Sequence, residues 1–491
     1  MDVGDGDTKD PTAERNGDVS YWWRARGGFP PRRPSLPGPA SADVCIVGAG
    51  FTGLWTAYYL KQAEPSLRIV VLEAAFAGFG ASGRNGGWLT SALPGSRERY
   101  ARGPGGRDAV LDLQRQLRET VDEVARVCDA EGIDADLVKG GELAVATTPA
   151  QQERLRAELA GDRDWGLGEE DVRYLGPAGL AGRVRIDGGL GALYSPHCAR
   201  IQPAKLVTGL AQAVERAGVE IYEATPVTRI APRPAAGGAS AGTARARPAM
   251  ARACTVFGDV TARFVLRATE GFTARLPGQR RTLLPMNSSM IVTEPLDDEA
   301  WREIGWAGYE TIGDSAHVYM YAQRTADGRI AIGGRGVPYR FASGVDHRGV
   351  TQPAAIDTLG QVLRALFPAA ARARIDHAWC GVLGVPRDWC ATVTADPASG
   401  LGWAGGYTGH GVAAANLAGR TLADLVAGRT TNRTALPWVG HRTHRWEPEP
   451  LRWAGVHGLY ALYRAADHAE GGGSARTSPL ARIGDRISGI P

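Results

Sequence analysis

The chain has 491 residues, of which 44% are hydrophobic and 22% are charged, and its formal net charge at pH 7 is +4. This length predicts about two or three domains, and this composition is typical of an ordinary globular protein. The basic residues are dispersed rather than gathered in a stripe, which argues against a nucleic-acid partner.

The cysteines and the N-terminus indicate the cellular compartment of the protein and the redox state of its thiols. The six cysteines form no C-x-x-C pair and have no metal-ligand spacing with the nine histidines. We therefore predict reduced, mostly buried thiols, a cytoplasmic protein and no metal site. Residues 1–20 are polar and acidic, without the apolar segment of a signal or transit peptide, and predict a disordered tail. Residues 21–42 begin with an aromatic Tyr-Trp-Trp anchor and continue as a proline-rich lead-in.

The stretch from Asp43 to Glu73 predicts a strand, a glycine turn, a helix and a second strand. An apolar strand enters a G-x-G-x-x-G turn, a helix over 54–64 stops before Pro65, and the strand over 68–72 ends at Glu73. The turn contains Gly48, Gly50, Phe51, Thr52 and Gly53. Its glycines allow a tight turn, close approach to a pyrophosphate and close helix packing, and the helix N-terminus attracts negative charge.

Glu73 lies twenty positions after Gly53, where the dinucleotide-binding pattern places a carboxylate for ribose hydroxyls, and it disfavours NADP. The alternative is a glycine-rich turn in an ordinary β-α-β unit, but the strand, the helix and the acid all occur together here.

The uncharged run over 44–60 could suggest a membrane span. Its three glycines and its β-α-β context argue against a transmembrane segment.

Later segments add a second glycine turn. Five glycines crowd the loop over 78–87 with Ser82, Arg84 and Asn85, which is typical of close backbone approach to a ligand. Helices are predicted over 107–131, 150–159, 203–217 and 356–367, strands over 140–148, 218–230, 264–268 and 377–385, antiparallel strands over 286–334, and a loose insertion over 231–250. Residues 400–429 then read as a strand, a glycine turn and a helix to Val426. Two glycine turns that feed helix N-termini predict one extended ligand held at two places.

With these motifs, the chain resembles the FAD-dependent oxidoreductases of the D-amino acid oxidase and sarcosine oxidase superfamily, and especially its γ-glutamylputrescine oxidase-like branch. The resemblance covers residues 40–430 and rests on VGAGFTGLWTAYYL with Glu73, GASGRNGG (80–87), ATEGFT (268–273), DGRIAIGGRG (327–336) and GGYTGHGVAAANLAGR (405–420). It implies an α/β fold in which a Rossmann-type FAD-binding domain is interleaved with an α+β substrate domain built on a mostly antiparallel sheet.

The resemblance also implies domain boundaries. The FAD-binding domain would comprise 43–95, 200–285 and 395–430, and the substrate domain 96–199 and 286–394. Residues 431–491 would form an amphipathic helical extension that packs against the body or against a second copy of the chain. A helix on a membrane surface is the alternative for this extension.

The resemblance assigns FAD contacts. The first glycine turn (Gly48, Gly50, Phe51, Thr52, Gly53) and Glu73 would hold the AMP half, with Val227 near the adenine. Gly80, Ala81, Ser82, Arg84, Asn85 and Gly86 would follow the pyrophosphate and the isoalloxazine. Gly406, Thr408, Gly409 and Gly411 would lie beside the pyrimidine edge, where a helix N-terminus stabilises the anionic reduced flavin. Cys380 falls where some relatives attach flavin through a thioether, and the alternative is a buried structural thiol.

Two departures from the relatives that oxidise sarcosine affect the expected chemistry. Their oxygen-activating lysine aligns with Ala331, and their carboxylate-binding lysine aligns with Ala413. Oxygen activation by that ammonium is therefore in doubt here. A larger amine is a better candidate substrate than a small α-amino acid.

The expected reaction is FAD-dependent oxidation of a C-N bond of an amine, by hydride transfer to flavin N5, with an imine product that water hydrolyses. Oxygen or another acceptor would take the electrons. Catalytic candidates are His317, Tyr319 and Tyr321, which share one face of a predicted strand by period two, although an amphipathic edge strand would look the same. The alternatives are a dehydrogenase or an N-demethylating or imine-forming tailoring oxidase for a larger natural product, and a non-catalytic flavin-bearing subunit.

Overall fold

A computed structural model describes residues 15–234, 249–334, 339–346, 348–474 and 476–489. Most of the insertion predicted over 231–250 lies outside these residues. In the described part the strands are β1 (Ala40–Val47), β2 (Ile69–Leu72), β3 (Trp88–Thr90), β4 (Glu142–Ala146), β5 (Arg173–Leu175), β6 (Gly191–Ser195), β7 (Cys198–Arg200), β8 (Glu220–Tyr222), β9 (Val227–Ala231), β10 (Ala251–Thr255), β11 (Gly258–Arg267), β12 (Leu284–Thr293), β13 (Thr311–Asp314), β14 (Met320–Arg324), β15 (Ile330–Gly334), β16 (Ile375–Val385), β17 (Thr392–Asp396) and β18 (Leu401–Gly405).

The helices alternate with these strands through most of the chain. They are α1 (Tyr21–Ala25), α2 (Phe51–Ala63), α3 (Arg97–Tyr100), α4 (Gly106–Glu131), α5 (Pro149–Asp164), α6 (Pro177–Ala181), α7 (Pro203–Arg216), α8 (Asp298–Ile304), α9 (Pro353–Leu366), α10 (Gly411–Val426), α11 (Leu451–Gly471) and α12 (Pro479–Ser488). None of the helices in the described ranges is long and apolar enough to span a bilayer.

The first sheet has a parallel centre. Its strands run in the order β17-β18-β11-β1-β2-β8, with β10 and β9 added beside β11. Strand β1 pairs in parallel with β2 and β11, and β11 pairs in parallel with β18. Parallel neighbours need crossover connections, and α2 supplies the one between β1 and β2. The carboxyl ends of these strands therefore meet at one edge, where open α/β sheets bind ligands.

The second sheet is mostly antiparallel, in the order β16-β12-β15-β14-β13-β4-β6-β5. The strands β12, β15 and β14 pair antiparallel, as predicted for 286–334. Among the residues that the structure describes, the β4-β13 pair is the one parallel pair of this sheet. The predicted fold class, a Rossmann-type α/β part interleaved with an α+β part, is confirmed. The exact domain boundaries stay a prediction.

The strand predicted from His317 to Ala322 is shorter than expected, since β14 begins at Met320. His317 and Tyr319 lie in the preceding turn, so they do not share a strand face with Tyr321. The physical reason is that the backbone N-H groups of this turn donate hydrogen bonds to a side chain and not to a neighbouring strand. The Asp467 carboxylate accepts hydrogen bonds from the N-H groups of His317 and Val318, each at 2.9 Å.

Residues 15–20 do not belong to a disordered tail, which corrects part of the prediction for residues 1–20; residues 1–14 lie outside the described residues. Gly17 N-H donates to the Ala378 carbonyl at 2.8 Å, and Ser20 Oγ donates to the Gly83 carbonyl at 2.6 Å. In α1, the Trp22 indole is buried and donates to the Asn85 carbonyl at 2.8 Å. The aromatic anchor therefore supports the glycine-rich loop over 78–87 from behind.

The C-terminal extension forms two helices that pack on the body and on each other. The Tyr463 hydroxyl of α11 donates to Asp485 of α12 at 2.8 Å. Helix α12 leaves Leu480, Ile483 and Ile487 exposed on one face. A homo-oligomer through this extension stays a prediction.

Candidate active site

A cavity of about 480 Å³ brings the glycine-rich segments together. Of the predicted cofactor residues, its lining includes Gly48, Gly50, Phe51, Thr52, Glu73, Gly80, Ala81, Ser82, Arg84, Asn85, Gly86, Val227, Gly409 and Gly411. The predicted residues Gly53, Gly406, Thr408 and Cys380 lie outside this lining. Gly48 and Gly411 therefore share one cavity although they are 363 residues apart in sequence (411 − 48).

The N-termini of helices α2 and α10 both open into this cavity. Thr52 in the first turn of α2 shares a hydrogen bond of 3.0 Å with the hydroxyl of Tyr407, which precedes α10. Further along the two helices, Asn416 Nδ2 donates to the Tyr59 hydroxyl at 2.9 Å. Because the first N-H groups of a helix have no partner within the helix and its N-terminus carries a partial positive charge, the pair can bind negative charge at two points of one ligand.

The side chains of Glu73 and Ser82 hold the first glycine turn. The Glu73 carboxylate accepts from the N-H groups of Ala49 and Ala75, each at 2.9 Å. Burial raises the pKa of Glu73, and these N-H groups oppose the rise. Ser82 Oγ accepts from the Phe51 N-H at 2.8 Å, so the loop over 78–87 is tied to the first turn of α2.

Glu270 holds the second glycine turn, a role that was not predicted from the sequence. Its carboxylate accepts from the Gly406 N-H at 2.9 Å and from the Tyr407 N-H at 3.2 Å. Burial raises the pKa of Glu270 to about 7, against the lowering effects of these N-H groups and of the Arg267 charge. The available signal was an acid in the ATEGFT turn, directly after a buried strand, where a charged side chain needs a specific partner.

A wall of hydroxyls and aromatic rings completes the cavity. Ser288 Oγ of β12 and the Tyr321 hydroxyl of β14 share a hydrogen bond of 2.7 Å, and the rings of Trp88 and Tyr321 meet edge to face at 6.2 Å. The Tyr321 ring lies so close to Gly86 that an added Cβ there would be 2.7 Å from it. Tyr319 also lines the cavity, and its ring centroid lies 6.5 Å from that of Tyr321.

The structure does not bring His317 to the cavity lining. Its Nε2 is 3.0 Å from a Glu470 carboxylate oxygen, and its ring stacks on Tyr463 with centroids 5.8 Å apart. His410, which the sequence places in the second glycine turn, does line the cavity.

No lysine of the described ranges lines the cavity. Lys61 donates to the backbone carbonyls of Pro65 and Leu67, while Lys139 and Lys205 pair with aspartates elsewhere. Ala331 and Ala413, which align with the lysines of the sarcosine-oxidising relatives, are both fully buried. The charged side chains of the lining are Glu73, Arg84, Glu270 and Arg275.

Two groups of side chains have metal-ligand atom types within 4.8 Å of one another: Asp388 with Cys390 and His441, and His317 with Asp467 and Glu470. In the first group, hydrogen bonds to Asp388 and Cys390 raise the pKa of His441 to about 9. Its imidazole is therefore protonated at pH 7, and Nε2 donates to Asp388 at 2.7 Å instead of offering a lone pair. The absence of a metal stays a prediction.

We expect the intact mass of the denatured protein to equal that of the chain alone, without a flavin adduct at Cys380. The thiol is buried outside the cavity lining, donates to the Val350 carbonyl at 3.4 Å, and has a pKa that burial raises to about 11. A thiol in this state is a poor nucleophile. A flavin-sized mass increment that disappears in Cys380→Ser would contradict this expectation.

The cavity suits FAD. Glu73 and Val227 line the side of the cavity formed by β1, β2 and β9. Two helix N-termini offer N-H groups to charged portions of the ligand. The aromatic wall covers another side of the cavity. A side chain at Gly50 would approach Ser82 Oγ to 2.9 Å, so the cradle depends on bare backbone there.

Comparisons with known proteins agree with this geometry. Residues 43–425 match the family model "DAO: FAD dependent oxidoreductase". The chain is 29% identical over 419 residues to gamma-glutamylputrescine oxidoreductase of Escherichia coli (strain K12), covering 82% of this chain and 89% of the relative. It is 25% identical to sarcosine oxidase subunit beta of Arthrobacter sp, covering 79% and 87%. The structure resembles glycine oxidase from Geobacillus kaustophilus with a TM-score of 0.66 and 21% identity, covering 82% and 99%.

The family match spans most of the chain, and the predicted family and its FAD dependence are confirmed. This chain belongs to the DAO family of FAD-dependent oxidoreductases.

Proposed function

We propose that this protein oxidises the C-N bond of an amine larger than a simple α-amino acid and uses oxygen as electron acceptor. The amine loses two electrons and two protons, the resulting imine is hydrolysed by water, and oxygen is reduced to hydrogen peroxide. The observation that carries the proposal is the uncharged wall of Ser288, Tyr319, Tyr321 and Trp88 in the FAD cavity.

The wall suits a neutral amine. FAD, when bound, supplies the ring that accepts the two electrons. The hydroxyls of Tyr319 and Tyr321 can orient a substrate N-H by accepting its hydrogen bond, while the rings exclude water. The lining carboxylates Glu73 and Glu270 each accept two backbone N-H hydrogen bonds and hold the two glycine turns, which gives them a structural role in the cavity.

Two observations support a larger substrate. Buried Ala413 offers no cation for the carboxylate of a small amino acid. The Escherichia coli relative is named for gamma-glutamylputrescine, an extended amine, and the chain covers 89% of that relative. We therefore include gamma-glutamylputrescine as the large probe and sarcosine as the small one.

A dehydrogenase is the second candidate, because within the described residues no lysine ammonium reaches the cavity to promote reaction with oxygen. In this case the same amine oxidation would deliver its electrons to another acceptor. The substrate wall would serve both reactions equally.

The test is amine-dependent bleaching of the visible flavin absorbance under anaerobic conditions. Bleaching by gamma-glutamylputrescine supports amine oxidation, and hydrogen peroxide release on admitting air separates the oxidase from the dehydrogenase. If no amine of a broad panel bleaches the flavin, the proposal is wrong.

We expect Tyr321→Phe to lower kcat/KM for the active amine about tenfold, the typical effect of losing one hydrogen bond at a reacting group. The ring keeps its packing against Gly86 and Trp88. Ser288 Oγ loses the Tyr321 hydroxyl but keeps its hydrogen bond of 3.3 Å to the Gly334 carbonyl. The matched control is Tyr222→Phe, since the Tyr222 hydroxyl donates to Glu220 outside the cavity lining. Steady-state turnover of both variants checks this, and equal kcat/KM values would remove Tyr321 from the mechanism.

A further inference from the structure

We infer that the C-terminal helices α11 and α12 position Tyr319, and so help to determine which amines the cavity accepts. The inference rests on the proposed function for the identity of the substrate. Both helices lie beyond residue 425, where the family match ends. Asp467 and Glu470 of α11 are the positioning residues.

The turn that carries Tyr319 is held through its backbone by α11. This turn joins β13 to β14, and Tyr319 directly precedes the first residue of β14. The two carboxylate oxygens of Asp467 accept separately from the N-H groups of His317 and Val318, each at 2.9 Å. Val318 also packs on the apolar cluster between α11 and α12. Tyr319 is therefore placed by contacts made one and two residues before it.

A nearly buried network holds the same turn through side chains. Glu470, whose side chain is 3% exposed, pairs with His317 at 3.0 Å and with Arg154 of α5 at 2.6 Å. Arg154 Nε also donates to the Ser315 carbonyl at 2.8 Å. The Ser478 N-H, just before α12, donates to Glu470 at 2.8 Å. The turn is thus attached to α5, α11 and α12 at once.

The extension supports a second part of the cavity. Leu383 of β16 lines the cavity and packs against a cluster that includes Trp446, Val456 and Tyr460. The Trp446 indole donates to the Val385 carbonyl at 2.7 Å. The C-terminal segment therefore contacts the cavity wall from two directions.

The position of Tyr319 matters for substrate because its hydroxyl lies near the second glycine turn. A Cβ built on Gly409 would be 4.0 Å from this hydroxyl. Release of the turn would move the hydroxyl relative to Gly409 and change the space left for substrate. Flavin contacts at the first glycine turn would be unaffected.

The experiment replaces Asp467 by asparagine, which keeps the size of the side chain but turns one acceptor into a donor that faces an N-H group. We expect the KM for gamma-glutamylputrescine to rise about tenfold, with kcat and flavin content within about twofold of wild type. Hydrogen exchange should show faster exchange in the peptide that contains His317 and Val318. The matched control is His468→Asn, the exposed neighbour on the same helix, for which no change is expected.

The outcomes separate the two proposals. Unchanged exchange and unchanged KM in Asp467→Asn would overturn the positioning role. Faster exchange at 317–318 in a protein that oxidises no amine would support the positioning role and refute the proposed function. If Asp467→Asn does not fold, Glu470→Gln is measured instead, with the same direction expected for both readouts.

Discussion

Replacing Glu270 by glutamine is expected to abolish a decrease of about 3 kcal/mol in the free energy of unfolding that occurs in wild type as the pH rises. The Glu270 side chain is half-buried beside the second glycine turn, and its carboxylate accepts hydrogen bonds from the N-H groups of Gly406 and Tyr407. Burial raises its pKa from 4.5 to about 7 despite these hydrogen bonds. In the folded protein the group therefore binds a proton that it would release in the unfolded chain at the same pH.

The sign of the effect follows from proton binding. Between pH 4.5 and about 7 the folded state binds more protons at Glu270 than the unfolded state does, so stability falls as pH rises. The contribution is fully present below pH 4.5 and is lost above the folded-state pKa. Glutamine does not titrate, so wild type should lose stability relative to Glu270→Gln across this window.

The measurement compares thermal unfolding midpoints of wild type and Glu270→Gln at about pH 5 and about pH 8. Any constant effect of the amide cancels in the difference between the two pH values. The control is Glu299→Gln, at an exposed position in α8, whose difference from wild type should not change with pH. Parallel pH profiles for Glu270→Gln and wild type would show that the carboxylate is not perturbed.

Features that depend on local sequence were predictable. The glycine turn after β1 follows from an apolar strand, three spaced glycines and an acid twenty residues later, and the structure places Gly50 and Glu73 in one cavity. The second turn is equally local: α10 was expected to end at Val426 and does so. The aromatic wall was partly predicted, because Tyr321 does lie on a strand of the antiparallel sheet.

Features that depend on distant partners were not predictable. The alternation of His317, Tyr319 and Tyr321 suits a strand. However, the His317 N-H donates to Asp467, 150 residues away, and the backbone forms a turn there. Glu270 was also missed, because its role depends on two N-H groups that lie 136 and 137 residues further along the chain. The periodicity of a sequence indicates which face of a helix or strand is apolar, whereas these contacts form only in the tertiary fold.

Alanine at Gly53 is expected to destabilise the protein by about 3 kcal/mol and to yield it largely free of flavin. An added Cβ at this position would lie 2.0 Å from the Gly48 carbonyl oxygen and 3.1 Å from Ile46 Cγ2. The first of these atoms is backbone in the turn, and the second belongs to Ile46, a fully buried residue of β1, so neither can move without opening the turn. The N-terminus of α2 would then shift away from the cavity.

Two other glycines provide a graded comparison. At Gly50 the added Cβ would meet the Ser82 side chain, with Oγ at 2.9 Å and Cβ at 3.9 Å. The Ser82 hydroxyl can rotate away, although it would then release the Phe51 N-H. We expect Gly50→Ala to weaken FAD binding about tenfold with a smaller loss of stability. At exposed Gly458 of α11 nothing lies within 4 Å, so alanine should stabilise the helix by about 1 kcal/mol and leave flavin content unchanged.

The measurement for all three variants is the ratio of flavin to protein, together with the thermal unfolding midpoint. The predicted order of flavin loss is Gly53→Ala, then Gly50→Ala, with Gly458→Ala equal to wild type. A general sensitivity of the fold to lost glycines would lower the midpoint of all three variants alike. A full complement of flavin in Gly53→Ala would mean that close packing of α2 on β1 is not what directs the helix N-terminus into the cavity.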